Sequence, residues 1–240
     1  MITTWIISLL LILIIRLAIG KKPELIPSKG QAVVETIVTG IQNMIEPIVG
    51  KRMVKHTFPL LVSFFIFILI HNWSGLIPGV GTFGHYDDQG HLLYYFRPGS
   101  ADLNFTLALA IISFVSWAYF IIRYAGFKTI AYDLFGNKAD KRDIPSIAYY
   151  SLFLIFFAVG IIELISIVFR LVSLSFRLFG NVFGGENLIT SITGVFSYIL
   201  PVPFYFLEIL IGFIQALVFT LLTAIYIGLI CNHGEEEHIH

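Results

Sequence analysis

Apolar runs long enough to cross a bilayer alternate along this chain with short polar stretches, and most runs need no strand-like alternation to explain them. A spanning helix takes roughly 20 apolar residues. Runs of that kind fall at about 2–20, 57–77, 103–122, 146–193 and 203–231. The segment 28–49 differs in kind. Val33, Ile37, Ile41, Met44 and Ile48 follow helical periodicity while Glu35, Thr39, Gln42 and Glu46 take other faces, which predicts an amphipathic helix lying along the interface. Ser28 and Gln31 have the spacing of a capping box at its start. Residues 79–102 and 123–145 read as polar loops, and Pro201 and Pro203 punctuate the turn at 194–203. The run from 146 would be about 70 Å long as one straight helix, twice the hydrocarbon thickness. It must tilt steeply, with a local bend, or break near Gly184-Gly185.

Composition agrees with this pattern. Of 240 residues, 57% are hydrophobic and 12% charged, and mean hydropathy is +0.87; soluble domains are near one-quarter charged. The fold class expected is an all-α polytopic membrane protein of about five crossing helices plus the interfacial helix. The last two crossings form a long tilted helical hairpin, and residues 1–240 form a single integral membrane domain. The start, Met1-Ile2-Thr3-Thr4, lacks a basic leader, and Lys21-Lys22 follow the first run, so that run reads as a retained span. Basic residues crowd two loops: Lys21, Lys22, Lys29, Lys51, Arg52 and Lys55 in one, Arg123, Lys128, Lys138, Lys141 and Arg142 in the other. These loops are then cytoplasmic. Five crossings put the N-terminus outside and the C-terminus inside. Zero formal net charge argues against nucleic-acid binding. Cys231 is alone, which excludes an internal disulfide.

Against this background the few buried charges stand out. Between Ser146 and Cys231 the Asp, Glu, Lys and Arg residues are Glu163, Arg170, Arg177, Glu186 and Glu208. Arginine does not give up its proton in a protein, and placing it in hydrocarbon costs several kcal/mol or more. On a helical wheel Glu163, Ser166, Arg170, Ser173 and Asn181 fall within about 40° of Arg177, forming one polar seam. Glu186 lies on the opposite face and begins a second seam with Thr190, Thr193 and Ser197. In the returning helix Glu208 and Gln215 share a face. Glu208 and Glu186 should lie at similar depth, and Gln215 near Arg177. Glu163 and Arg170 admit two readings, neutralisation through a third helix or lining of a path. The serines and threonines are weak witnesses, because such hydroxyls commonly bond back to their own helix.

The run Ser175-Phe176-Arg177-Leu178-Phe179-Gly180-Asn181-Val182-Phe183-Gly184-Gly185-Glu186 resembles the signature of subunit a of F-type ATP synthases. Glu208-Ile209-Leu210-Ile211-Gly212-Phe213-Ile214-Gln215-Ala216 is similar to that family's last helix, as are Asn72 to Gly79 and Asp102-Leu103-Asn104 to its second and third spans. The resemblance covers most of the chain from about residue 24. It implies a stator subunit beside a rotating ring of c subunits, held by b-type peripheral stalk subunits and linked indirectly to an F1 sector, in a bacterial plasma membrane. It implies that Arg177 is the essential cation with Gln215 beside it. Asn181, Glu186 and Glu208 would belong to the half-channel on the non-cytoplasmic side, and Glu163 to the cytoplasmic one. Leu171 stands where some relatives have proline.

The transported ion expected is the proton rather than sodium. No cofactor, metal or nucleotide site is expected on this chain, and no catalytic site. His85, Asp87, Asp88 and His91 include metal-ligating types, but read as a solvated loop; so does the tail Glu235 to His240. The rival reading is a stand-alone ion-coupled secondary transporter, which would favour an internal inverted repeat; none is visible.

Overall fold

The computed structural model describes residues 2–20, 27–77, 84–86, 92–94, 98–124, 126, 146–196 and 199–236. The helices are α1 (Ile2–Ile19), α2 (Lys29–Val49), α3 (Lys51–Ser74), α4 (Leu103–Tyr124), α5 (Ser146–Val195) and α6 (Pro201–Glu236). Between α3 and α4 lie a small antiparallel ribbon, β1 (Gly84–Tyr86) with β2 (Leu92–Tyr94), and a 3-10 turn, Gly99–Ala101. The ribbon occupies part of the stretch expected to be loop. The second basic loop's Lys128, Lys138, Lys141 and Arg142 lie outside the described residues, as do Asp87, Asp88, His91 and Ser197, and so do the side chains of His85 and of the tail.

Among the described residues four helices are long and apolar enough to cross a membrane: α3, α4, α5 and α6. The N-terminal helix is apolar but has only 18 residues, about 27 Å at 1.5 Å per residue, slightly under a hydrocarbon thickness. The fifth crossing expected from sequence is therefore the shortest helix of the set. α5 continues unbroken through Gly184 and Gly185 for 50 residues, so strong tilt rather than a break is what its length demands.

Helix α2 begins as its cap predicts. Ser28 is extended (φ −63°, ψ 161°), and its Oγ accepts from the Gln31 backbone N–H at 3.3 Å. The Gln31 side chain reaches forward instead, donating to Glu35 Oε1 at 2.7 Å. Ile41, Ile45 and Val49 pack inward while Val33, Ile37 and Met44 of the periodic stripe are exposed. The helix thus carries two apolar faces, one for the bundle and one for a surrounding apolar phase, as an interfacial position requires. At its end Gly50 has φ +87°, a left-handed conformation open to glycine at little cost. The chain turns there and enters α3 at once, six residues before the start expected from the apolar run.

The core is built around α6, which packs against α2, α3, α4 and α5. Leu61, Phe64, Phe65 and Ile68 of α3 meet Ala216, Phe219, Ala224 and Ile227 of α6, with Phe64 edge-on to Phe219. Gly228 brings α6 so near the end of α2 that an added Cβ would meet the Ile48 carbonyl oxygen at 2.5 Å. Between apolar helices in lipid, hydrogen bonds and close packing replace the hydrophobic effect as glue. Such bonds recur here: Thr106 with Ser175 at 3.2 Å, Ser113 with Thr223 at 3.0 Å, and Trp117 Nε1 donating to the Tyr226 carbonyl at 3.1 Å. Helix α5 is the exception to burial. Only 6% of its most apolar window is buried, against 39% in α3 and α6.

Candidate functional site between the last two helices

Helix α5 has one inward stripe: Leu174, Leu178, Val182, Gly185 and Ile189 are buried at spacings of four, four, three and four. Taking that stripe as the axis of contact with α6, Arg177 sits about 100° to one side and Glu186 about 75° to the other. The two seams read from sequence are thus the two flanks of one packed helix, with α6 lying between their polar ends.

Two polar contacts cross that interface. Asn181 Nδ2 donates to Gln215 Oε1 at 2.8 Å. Four residues further along α5, Gly185 receives the carboxyl of Glu208: a Cβ at 185 would overlap the carboxyl carbon and both oxygens. Glu208 is 8% exposed and Gln215 3%. Helix α6 presents Glu208, Gly212 and Gln215 on one face, as their spacing predicts, and α5 runs antiparallel to it. The expected common depth of Glu186 and Glu208 follows directly, since Glu208 packs on the residue preceding Glu186.

Gln215 bonds Asn181, one turn from Arg177 along α5. Arg177 lies on the exposed flank, and among the described residues it makes no hydrogen bond or ion pair. That flank is a strip of small residues. Ser166, Ser173, Gly180, Gly184 and Ser191 are all exposed, within about 60° of Arg177 on the wheel, and nothing lies within 4 Å of a Cβ added at Gly180 or Gly184. Phe169 and Phe176, 67% and 52% exposed, rise beside it.

The remaining sequence candidates scatter. Glu163 is exposed on the same long flank. Arg170, half-buried, leaves the seam and lays its guanidinium 3.8 Å over the Tyr226 ring, in an open cleft between α4, α5 and α6. It does not pair with Glu163. Thr190 and Thr193 bond back to the carbonyls of Glu186 and Ile189, both at 2.7 Å. No group of metal-ligating side chains occurs among the described residues.

Residues given no role from sequence complete the site. The last turn of α3 is fastened to α6: Asn72 Nδ2 donates to the Gly212 carbonyl and Trp73 Nε1 to that of Ile209, each at 3.1 Å. Buried polar atoms without a partner are uncommon in folded proteins. Among the described residues there are four such side-chain atoms, His71 Nε2, Asn72 Oδ1, Ser100 Oγ and Gln215 Nε2. All lie on the end of α3, the adjoining 3-10 turn, or the α6 face packed against that end. A signal was present in sequence for Gly185, a glycine beside an acid inside an apolar helix, which marks close approach of another group. None marked the orphaned atoms, because pairing is a tertiary property.

These features define a polytopic helical membrane protein whose last hairpin buries a polar, carboxyl-bearing interface next to a permanently charged flank. The family model described as ATP synthase A chain matches residues 1–228. ATP synthase subunit a of Citrifermentans bemidjiense is 32% identical over 237 residues, spanning 99% of this chain and 87% of that protein. The subunit of the same name from Aliarcobacter butzleri is 33% identical, spanning 95% and 87%, and that of Geotalea daltonii 34%, spanning 93% and 83%. The chain belongs to the ATP synthase subunit a family.

Proposed function

We propose that the chain is the stator subunit that couples proton flow to rotation of a c-subunit ring, through two half-channels that meet near Arg177. The observation carrying this reading is the order of groups across the α5–α6 interface. Glu186 on one flank, Glu208 in the Gly185 notch, Gln215 with Asn181, and Arg177 on the other flank follow one another through the packed pair.

The chemistry follows from charge in oil. A ring carboxylate can face lipid when protonated, whereas the ionised form is too costly to desolvate. Beside Arg177 the carboxylate anion is favoured, so the proton is released into the cytoplasmic seam holding Glu163. The site passes the arginine ionised and is reloaded from the other side through Glu186 and Glu208. Asn181 and Gln215 line the final step. A guanidinium cannot itself carry the proton onward, and its charge repels a proton trying to pass, which closes the short circuit. The small-residue strip around Arg177 supports the docking of a ring helix at close backbone distance. The transmembrane potential supplies about 2.3 kcal/mol per charge per 100 mV.

The N-terminus lies outside and the C-terminus in the cytoplasm of a bacterial plasma membrane. Partners are the c-ring, b-type peripheral stalk subunits and, through them, the F1 sector, with lipid on the other faces. The ion is the proton, and the chain carries no catalytic site of its own. Arg177→Ala in the assembled complex tests the reading. ATP-driven proton pumping into vesicles disappears and passive proton leak rises; unimpaired pumping refutes it. Flux at working rates through the chain reconstituted without a ring would favour the stand-alone transporter.

A further inference from the structure

After Pro201, Glu208 is the first deeply placed residue of α6. Val202, Pro203, Tyr205, Phe206 and Leu207 before it are exposed, while Glu208 is 8% exposed. Among the described residues no hydrogen bond joins 201–208 to another helix. The first to do so comes one residue later, where Trp73 Nε1 donates to the Ile209 carbonyl oxygen at 3.1 Å. The next is at Gly212, whose carbonyl accepts from Asn72 Nδ2 at 3.1 Å. Gly212 makes room for both partners: a Cβ there would lie 3.3 Å from Asn72 Cβ and 3.3 Å from Trp73 Cδ1.

α3 and α6 run antiparallel past this point: Phe64 meets Phe219, Asn72 meets Gly212 and Trp73 meets Ile209. α5 grips the same stretch of α6 from an adjacent face, through Glu208 on Gly185 and Gln215 on Asn181. The end of α3 is firm enough to act as the fixed partner. Ser74 Oγ donates to the His71 carbonyl at 2.7 Å, the His71 ring packs against Phe67 and Phe105, and Pro98 Cγ lies 3.0 Å from a Cβ added at Gly75. A tryptophan that merely anchors the end of a span turns its N–H to headgroups or water. This indole is 37% exposed, yet it gives its single donor to the backbone of a neighbouring helix.

We propose that Trp73 is a positioning residue: its N–H bond to the Ile209 carbonyl fixes the end of α6 nearest Pro201 and so keeps the Glu208 carboxyl in the Gly185 notch. This rests on the proposed role of Glu208 in loading protons from outside. Trp73 takes no proton itself. A helix held on one face can roll about that contact, and a bond on a second face stops the roll. Glu208 and Ile209 lie about 100° apart around α6, so a roll that releases Ile209 swings the carboxyl away from residue 185. Nothing hydrophobic restores it in lipid, where hydrogen bonds and close packing are what hold helices together.

The test is proton flux per assembled, membrane-reconstituted complex as a function of outer pH, for wild type, Trp73→Phe, Gly185→Ala, the double variant and Glu208→Gln. Phenylalanine keeps an aromatic ring and removes the donor. Loading through Glu208 limits flux when protons are scarce outside and ceases to limit it when they are plentiful. Trp73→Phe is therefore expected to lose about three- to tenfold at outer pH about 8 and to approach wild type at about 5.5, within what a misplacement below about 1 Å costs. Both changes act through one carboxyl, so adding Trp73→Phe to Gly185→Ala is expected to cost less than about twofold more. A tryptophan that only packs the bundle lowers flux by the same factor at every pH, or multiplies the loss in the double variant. Either result, or a Trp73→Phe profile superimposable on wild type, overturns the proposal; so does full flux in Gly185→Ala, which removes the notch. Should Trp73→Phe not assemble, Gly212→Val reads the same clasp, because its branched carbon displaces Trp73 and Asn72, and the same profile and non-additivity are expected. If Glu208→Gln keeps full flux, the reading of Glu208 fails and the proposal with it; if Glu208→Gln is impaired while Trp73→Phe is silent, only the role of Trp73 falls.

Discussion

Replacing Gly185 by alanine adds a single methyl group, and its consequence can be worked from two opposing terms. On the helix alone the change is favourable, because alanine stabilises a helix interior by about 1 kcal/mol relative to glycine. Across the interface it is not tolerated, since the new carbon would occupy the space of the Glu208 carboxyl group. Ordinary contact between such atoms needs about 3.5 Å, so the carboxyl must retreat by at least about 1 Å or α5 and α6 must part. Displacement of about 1 Å at a transfer site can cost about a hundredfold in rate. Gly185→Ala is thus expected to yield a helical, assembled complex whose ATP-driven proton uptake, followed by quenching of a pH-sensitive dye in vesicles, falls about ten- to a hundredfold. The double variant Gly185→Ala, Glu208→Asp shortens the acid by one methylene, roughly 1.5 Å, and should recover part of the loss. Full flux in the single variant, or no recovery in the double one, would refute the argument that the notch positions this carboxyl.

Two further outcomes test the packing. Ser113→Ala and Thr223→Val, alone and together, form a double-mutant cycle on the hydroxyl pair joining α4 to α6; a coupling of about 0.6 kcal/mol is expected from unfolding in detergent or bilayer, and zero coupling would remove the bond from the account. Gly228→Val places branched carbon against the Ile48 carbonyl, so α2 should detach from α6, seen as increased proteolysis at 20–30 and loss of assembled complex; an unchanged cleavage pattern would contradict the close approach.

Burial of α5 has a wider meaning. Ile162, Phe169, Phe176, Val195 and Phe196 are between 52% and 73% exposed, far more apolar surface than a soluble chain leaves bare. On the proposed function, lipid and partner subunits share that surface. Along the Arg177 strip the exposed neighbours at helical spacing are small, Ser173, Gly180 and Gly184 among them, and two helices approach closely only over small residues.

Apolar run length, helical periodicity, the Ser28 cap and the rarity of charge after residue 146 were enough to determine six helices, a hairpin made from the last two, and the handful of groups able to carry protons or hold a fixed charge. Those are local properties, set by what each residue costs in oil and by an angle of about 100° per residue along one helix. The relation between helices was a different matter. Sequence put Gln215 near Arg177, but only the fold specifies Asn181, one turn along α5, as its hydrogen-bond partner. It put Arg170 on the seam, whereas the ring of Tyr226 draws it into the α4–α6 cleft. It gave no sign that Asn72 and Trp73 clasp α6. Each depends on how far one helix slides and rotates against another, a choice made by interlocking side chains and by glycine notches such as Gly185 and Gly228. No wheel drawn on a single helix contains that information, because the contact that decides it comes from residues distant along the chain.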